Sequence, residues 1–381
     1  MQIHVVQGGE TLWEIANRYR VPMVSVVALN GLSLPEWLVP GQALVIPSAQ
    51  LVFAPERSVI EINAYTYQPA QEAAAEIVQR SGQLSTVIPF VYHVSKNGTL
   101  DNLDDQASIY TAYAQHVIPI MSIANFSINE SGADVAHAIF TSATARDTLI
   151  TSVISVMQQK GYRGLNIDFE SVLPGDRQGF NDFLQEVVDR LHPLGYTVSS
   201  AVMPKTAIDQ PRPDYIAYDY EAQGRIADFV VLMTYEWGYR SGPPQPISPV
   251  NEMKRVVDYA LSVMPANKIS LGFETYARDW LLPHEQGQEA ETFSPKEALE
   301  RAIRHGVSIQ YNQVAQSPFY RYTDASGNTH EVWFEDARSA QAKFDLVRLY
   351  KLRGISYWAL GFPYPENWSL LESNFNIGKW L

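Results

Sequence analysis

The chain has 381 residues, a formal net charge of −13, 46% hydrophobic and 18% charged residues, and no cysteine. This composition is that of a globular protein that can bury one large core and one small one. The negative charge argues against nucleic acid as a partner, and the lack of cysteine excludes disulfides, thiol catalysis and thiolate metal sites.

The sequence carries neither a charged segment leading into a long apolar run, which would mark a secretory signal, nor a membrane span. We therefore expect no membrane partner. We also expect a chain that is made in the cytosol and stays there, leaves by another route, or is deposited on a structure assembled inside a cell.

Residues 2 to about 48 form a small unit of their own. Val5 and Val6 indicate a short strand, and Thr11 with Glu14 has the pattern of a capping box at the start of a helix. A second short helix ends at Asn30-Gly31, and residues 43–46 form a closing strand. The predicted order is strand, helix, helix, strand.

The sequence of this unit resembles a LysM module. The resemblance rests on residues 4–13, on Leu29-Asn30-Gly31 and on residues 40–44. It implies a domain of residues 1–48 that binds glycans containing N-acetylglucosamine, such as peptidoglycan and chitin. One copy is present, and Gly8-Gly9 stands where an acidic residue and a glycine are more usual.

After a short linker at residues 48–50, apolar β-rich segments alternate with helical patterns along residues 53–381. Strands are predicted at 59–63, 86–91, 116–124, 164–168, 197–202, 229–234, 269–273 and 354–360. Eight strands with helices between them predict an α/β fold, a (β/α)8 TIM barrel, with catalytic residues at the C-terminal strand ends. A helix start at 294–297 and a hairpin of 319–323 with 332–334 predict a small α+β insertion, about 274–340, between strands seven and eight.

The fourth predicted strand carries the sequence Gly164-Leu165-Asn166-Ile167-Asp168-Phe169-Glu170. Its period of two places the three polar side chains on one face, with the two acids roughly 6–7 Å apart along the backbone. Such a pair can supply the acid and the charge stabiliser of a glycosidase. Spacing alone also fits solvent-facing acids, but helical patterns on both sides indicate a buried parallel strand.

Residues from about 55 to 381 resemble glycoside hydrolase family 18. The carriers are Asn166-x-Asp168-x-Glu170, Met233-Thr234-Tyr235-Glu236 at the end of strand six, and Tyr357-Trp358 on strand eight. Residues 233–239 and 333–337 are similar to the branch that includes spore-cortex fragment-lytic N-acetylglucosaminidases of endospore-formers. Those proteins more often carry two LysM modules.

The resemblance implies a mechanism in which the substrate supplies the nucleophile. Glu170 would protonate the glycosidic oxygen, while Asp168 and Tyr235 would hold the 2-acetamido group that attacks the anomeric carbon. The charge of Asp168 would help to raise the pKa of Glu170. Trp358 would pack under the reacting sugar, with core packing as the alternative for it and for Tyr235.

Asn166 stands where the wider family has an Asp, and we expect it to hydrogen-bond Asp168 and fix its rotamer. The expected substrate-binding residues are Asn166, Trp358, Met233, Glu236 and Trp237. For Trp237, Tyr276 and Trp280, groove lining and plain packing both remain open. The eight histidines form no HxxxH or HxH pair, so we expect neither a metal nor a cofactor.

These observations predict a peptidoglycan-directed N-acetylglucosaminidase, acting as a monomer, with a LysM anchor that raises the local substrate concentration. A chitinase or chito-oligosaccharidase of the same family is one alternative, and a non-catalytic glycan-binding protein is another. The joint presence of Asp168, Glu170 and Tyr235 argues against the binding protein. We expect a location in the spore coat or cortex of an endospore-forming bacterium, or otherwise at the cell wall.

Overall fold

The computed structural model describes residues 1–32, 37–48, 57–126, 129–208, 210 and 212–379. The strands are β1 Gln2–Val5, β2 Ala43–Ile46, β3 Val59–Thr66, β4 Thr86–Pro89, β5 Tyr92–His93, β6 Ile118–Pro119, β7 Met121–Ala124, β8 Gly164–Asp168, β9 Thr197–Val202, β10 Phe229–Leu232, β11 Ile269–Glu274, β12 Ala277–Leu282, β13 Glu291–Phe293, β14 Gln310–Asn312, β15 Ser317–Thr323, β16 Thr329–Trp333, β17 Gly354–Trp358 and β18 Asn376–Ile377. The helices are α1 Leu12–Tyr19, α2 Met23–Asn30, α3 Ala70–Arg80, α4 Gln106–Ala114, α5 Gly132–Thr141, α6 Ala143–Lys160, α7 Arg177–Leu191, α8 Pro213–Ile216, α9 Tyr220–Ile226, α10 Val250–Val263, α11 Pro295–Arg304, α12 Ala337–Tyr350 and α13 Pro365–Asn374. Within these ranges, no helix is both long and apolar enough to cross a membrane.

The N-terminal unit has the predicted order of elements, with β1 and β2 paired antiparallel. The capping box forms at α1: Glu14 N donates to Thr11 Oγ1 over 3.2 Å, and Thr11 N donates to a Glu14 carboxylate oxygen over 2.9 Å. Helix α2 ends at Gly31, whose φ of 57° is left-handed. The unit has its own small core, formed by Val6, Leu12, Ile15, Val26, Leu44 and Ile46.

A closed barrel of parallel strands forms the main domain, and it confirms the predicted fold class. The strands follow one another around the ring in the order β3, β4, β6 with β7, β8, β9, β10, β11 and β17, which pairs again with β3. Strand three is divided, because β6 pairs with β4 whereas β7 pairs with β8.

Strand three also begins later than predicted. His116 has a left-handed φ of 56° and belongs to the turn after α4, so residues 116 and 117 are not part of the strand. The linker expected at 48–50 lies mostly outside the described residues.

The insertion after strand seven is an antiparallel sheet of five strands in the order β13, β12, β16, β15 and β14, accompanied by α11. Its helix begins where the sequence predicted, because the Ser294 side chain accepts from Glu297 N over 3.1 Å. The predicted hairpin is β15 with β16. An apolar cluster that includes Phe293, Tyr320 and Phe334 gives this lobe its own core.

The N-terminal unit is docked on the barrel and on the insertion. Ala43 and Val45 belong to the main barrel core, and Val39 belongs to the core of the insertion. Ile309 N donates to Pro40 O over 2.9 Å. At Gly41, which has a φ of 85°, a Cβ atom would lie 1.8 Å from Ile309 O, so only glycine permits this approach.

Candidate active site

Strand β8 carries the three polar residues of the fourth-strand sequence to the C-terminal mouth of the barrel. Asn166 and Asp168 are buried, with exposed fractions of 0% and 5%, whereas Glu170, just beyond the strand end, is partly exposed. The apolar residues between them, Ile167 and Phe169, are fully buried against the surrounding helices. The alternation of this short segment therefore directs the acids towards the barrel axis.

The backbone of Glu170 is held by the side chain of Asn125, which follows β7. Asn125 Oδ1 accepts from Glu170 N over 2.7 Å, and its Nδ2 donates to Glu170 O over 2.6 Å. The same Nδ2 donates to Gly132 O over 2.8 Å. One residue earlier, Tyr218 OH donates to Phe169 O over 2.7 Å. These contacts fix the peptide from which the Glu170 carboxyl projects.

Both ends of the Asn166 amide are engaged, but neither hydrogen bond goes to Asp168. Tyr65 OH donates to Asn166 Oδ1 over 2.9 Å, and Asn166 Nδ2 donates to Ser199 Oγ over 3.0 Å. Asp168 Oδ1 is buried and has no hydrogen-bond partner among the described residues. The expected contact between Asn166 and Asp168 is thus not made, and the free carboxylate oxygen remains available to a substrate group.

The two acids and the nearby tyrosine all favour their protonated forms. Burial raises the pKa of Asp168 well above its usual value, and the Glu170 charge raises it further. Burial also raises the pKa of Glu170, with Glu236 as the next cause. The pKa of Tyr235 is raised by burial and then by surrounding tyrosine and carboxyl groups. The expected effect of Asp168 on the Glu170 pKa is not found, because the interaction between the two acids instead raises the pKa of Asp168.

The residues that follow β10 form a second wall of the site. Tyr235 is partly exposed beside Glu236, which has a left-handed φ of 67°. Arg278 holds the Glu236 carboxylate in a two-pronged ion pair at 2.7 and 2.8 Å, and Tyr276 OH donates to the same carboxylate. Arg278 is buried. Glu236 is therefore held as an anion close enough to act on Glu170.

Trp358 ends β17 at the barrel mouth and is half-buried among aromatic rings. Its ring lies edge-on to Tyr65 and Phe90, with centroids 5.5 and 4.7 Å apart, and stacks on Tyr67 at 5.8 Å. Tyr67 itself is an exposed ring. The Trp358 indole is therefore held rigidly, with part of its surface open at the mouth.

A cleft of about 720 Å³ opens beside Glu170. Its lining includes Glu170, Tyr215, Met233, Tyr235, Glu236, Trp237 and Tyr239. The structure distinguishes the three aromatic residues for which the sequence allowed either groove lining or packing. Trp237 lines the cleft, whereas Tyr276 and Trp280 are buried. Trp280 is further tied by a 2.8 Å hydrogen bond to Gly242 O.

The sequence analysis did not identify Asn125, Tyr65 or Arg278. Asn125 and Tyr65 lie at the C-terminal ends of barrel strands β7 and β3, and Arg278 lies in β12, the insertion strand that follows β11. A polar residue at a strand end was the available signal for the first two. What the sequence did not contain was the pairing, because these residues lie 45, 101 and 42 positions from their partners Glu170, Asn166 and Glu236.

The barrel, the acids at the end of its fourth strand and the cleft beside them define the class of the protein. Residues 63–362 match the model for glycosyl hydrolases family 18, and residues 4–47 match the LysM domain. The chain belongs to glycosyl hydrolase family 18 and is a glycoside hydrolase with an N-terminal LysM domain.

Among known proteins, the chain is similar to the cortical fragment-lytic enzyme of Bacillus subtilis, with 37% identity over 100% of this chain and 99% of the relative. It is also similar to the crystal structure of the Bacillus cereus spore cortex-lytic enzyme SleL, with a TM-score of 0.82, 38% identity, and coverage of 99% of this chain and 87% of the other. A chitinase from Chromobacterium violaceum shows a TM-score of 0.76 and 27% identity, covering 83% and 99% of the two chains.

The alignment with the Bacillus subtilis enzyme spans 430 positions, against 381 residues in this chain. The alignment is therefore 49 positions longer than this chain, 430 less 381.

Proposed function

We propose that this chain hydrolyses spore-cortex peptidoglycan as an N-acetylglucosaminidase. The observation that carries the proposal is the placement of Glu170, Asp168 and Tyr235 at the mouth of a family 18 barrel. Full-length similarity to a cortical fragment-lytic enzyme supports the choice of substrate. The LysM domain supports attachment to a glycan that contains N-acetylglucosamine.

In the proposed mechanism, Glu170 acts first as the general acid. Burial and the neighbouring Glu236 raise the pKa of its carboxyl and favour the protonated form, which can transfer that proton to the glycosidic oxygen as the bond to the anomeric carbon breaks. The Asn125 contacts fix the peptide of Glu170 and thereby the direction of this transfer.

The nucleophile is the acetamido carbonyl oxygen of the substrate. Asp168 Oδ1, which has no hydrogen-bond partner among the described residues, accepts the N–H of that group, and Tyr235 donates to the carbonyl. The carbonyl oxygen bonds to the anomeric carbon, giving a cyclic oxazolinium ion. This cation opposes the effect of burial on the Asp168 pKa and favours the carboxylate, which in turn stabilises the cation. Water then opens this ion, and the Glu170 carboxylate takes the proton of that water.

This mechanism predicts retention of the anomeric configuration and a requirement for the 2-acetamido group. A thiazoline derived from N-acetylglucosamine should inhibit, because it mimics the oxazolinium ion, and a fluoro-sugar should label no carboxylate. De-N-acetylated oligosaccharides should resist cleavage. Inversion in the first product seen by NMR, or cleavage of the de-N-acetylated oligosaccharides at a comparable rate, would contradict it.

A chitinase is the second candidate, because the Chromobacterium violaceum chitinase shares the fold over 83% of this chain at 27% identity. Mass spectrometry of the products from purified spore cortex, cortex fragments and chitin separates the two candidates. We expect products ending in N-acetylglucosamine to be released from the cortex material faster than chito-oligosaccharides are released from chitin. Faster release of chito-oligosaccharides from chitin would instead assign the chain as a chitinase.

The proposed location is the spore coat or cortex. It rests on the similarity to spore enzymes of Bacillus and on the glycan-binding LysM domain. Fractionation of sporulating and vegetative cells with an antibody against this chain tests it. Detection in the vegetative cytosol alone would reject the proposal.

A further inference from the structure

Three charged side chains are buried together behind the cleft. Glu274, at the end of β11, and Lys343, on α12, are fully buried, and Glu335 is 2% exposed. Glu335 belongs to the segment 333–337 that the sequence analysis singled out, and no step of the proposed mechanism uses it. Charged side chains are rarely buried unless each has a partner, so the pairing within this group indicates the protonation state of each member.

Lysine and glutamate form one complete pair in this group. Lys343 Nζ donates to Glu335 Oε2 over 2.5 Å, and the ammonium lies over the ring of Phe273 at 4.8 Å. This pair leaves Glu274 without a direct ion pair to a cation among the described residues. Glu274 Oε1 has no hydrogen-bond partner there, and Oε2 contacts the hydroxyl of Ser248.

Counting protons shows the charge state of Glu274. Ser248 Oγ has a single proton and two neighbours that can accept it, Thr234 O at 2.9 Å and Glu274 Oε2. The Thr234 carbonyl can only accept, so it takes the Ser248 proton. The contact between Ser248 and Glu274 then needs a proton from Glu274, which is available only from the neutral carboxylic acid.

The alternative assignment is less stable. If Ser248 donated to an ionised Glu274, a buried carboxylate would remain without a cation of its own, and the Thr234 carbonyl would lose its donor. The surroundings agree with the neutral form, because burial raises the pKa of Glu274 well above its usual value. Glu335 raises the pKa further, whereas Lys343 and the hydrogen bond with Ser248 lower it.

We propose that Glu274 is a positioning residue that, as a neutral acid, holds the peptide preceding Tyr235 through Ser248. Thr234, the acceptor at the end of this relay, is the residue before Tyr235 and is itself tied to Gly272 O over 2.7 Å. On its other side, Glu274 pairs across the sheet with Trp358. The proposal deepens the proposed function, on which it rests, by adding a residue that acts through Tyr235.

The charged and titratable groups that face Glu274 are Glu335 just before α12, Lys343 on α12, Tyr276 just after β11 and Arg278 in β12. Because the folded-state pKa of Glu274 lies above its unfolded value, its contribution to stability is complete at low pH. This contribution is lost as the pH rises through the folded-state pKa. At alkaline pH, ionisation of Glu274 should therefore break the relay that holds Tyr235 in position. A side chain at position 274 that cannot ionise should prevent this loss.

The test compares Glu274→Gln, Glu274→Ala and Ser248→Ala across a pH series, with kcat and KM for an N-acetylglucosaminide and the Tm of each protein. Glutamine can still donate but cannot ionise. We expect Glu274→Gln to keep kcat within a few-fold of the wild type and to flatten the alkaline fall in Tm. Removal of the relay by either alanine variant should lower kcat on the order of 10–100-fold, with KM changed less.

Glu366→Gln is the matched control. Glu366 is another buried carboxyl, with its pKa raised to about 8 by burial, and it lies outside the cleft at the start of α13. It should change the pH dependence of Tm without changing kcat. A Glu274→Gln variant as inactive as the alanine variants, or one with an unaltered pH dependence of Tm, would overturn the proposal. The Tm series reads out even without hydrolysis, so failure of the proposed function remains distinguishable.

Discussion

Asn125→Ala tests whether the hydrogen bonds to the Glu170 backbone also fix the position of the Glu170 carboxyl group. The substitution removes three hydrogen bonds, two to Glu170 and one to Gly132 O, of 2.6 to 2.8 Å. At about 1 kcal/mol for each bond, the free energy of unfolding should fall by about 3 kcal/mol. Because the Glu170 peptide is then free to shift, kcat should fall on the order of 100-fold, as expected for a displacement of about 1 Å.

The assay pairs urea unfolding with kcat and KM on soluble cortex fragments. Asn181→Ala is the control, because Asn181 is also buried. Among the residues that the structure describes, its amide makes a single long contact of 3.4 Å with Asp219, and its Oδ1 has no partner. That variant should lose less stability and keep kcat. Wild-type kcat in Asn125→Ala, at a temperature where the variant is folded, would refute the reasoning.

Three further predictions concern the acids and the docked domain. Glu170→Gln should lower kcat by about 10²–10⁴-fold while glycan binding and Tm are kept, and near wild-type turnover would remove its assignment as the acid. Asp168→Asn should raise Tm at alkaline pH, because the raised pKa of Asp168 makes its ionised form unfavourable in the folded state, and it should also lower kcat. A difference in Tm between variant and wild type that does not change with pH would contradict this. Removal of residues 1–48 should lower the Tm of the remaining barrel, because Val45 is part of its core; an identical Tm would show that the LysM domain is only a tether.

The spacing of apolar residues along the sequence was sufficient to predict the barrel and the strand that carries the two acids. Alternation at 164–170 placed Asp168 and Glu170 on one face because a strand repeats every two residues, whatever its neighbours. Strands β8 and β9 have the predicted bounds. The start of strand three was missed because it depends on the left-handed turn at His116, which apolar patterning does not report.

The contacts around the acids could not be predicted from the sequence. Whether the Asn166 amide turns to Asp168 or to Tyr65 depends on which strand lies across the barrel, and Tyr65 is 101 positions away. Likewise, the cause of the raised Glu170 pKa is burial and Glu236, which reaches the site from β10 rather than from β8. Local spacing identified the acids but not their electrostatic neighbours.

The docked LysM domain lies at a fixed distance from the catalytic acid. Since Pro40 and Gly41 contact the insertion directly, the distance between a sugar held by the LysM domain and the Glu170 carboxyl does not vary as it would with a flexible linker. A glycan can engage both only if it is long enough to span that distance, so the gain in affinity should set in abruptly at one chain length. Hydrolysis products shorter than that length should lose this gain in affinity.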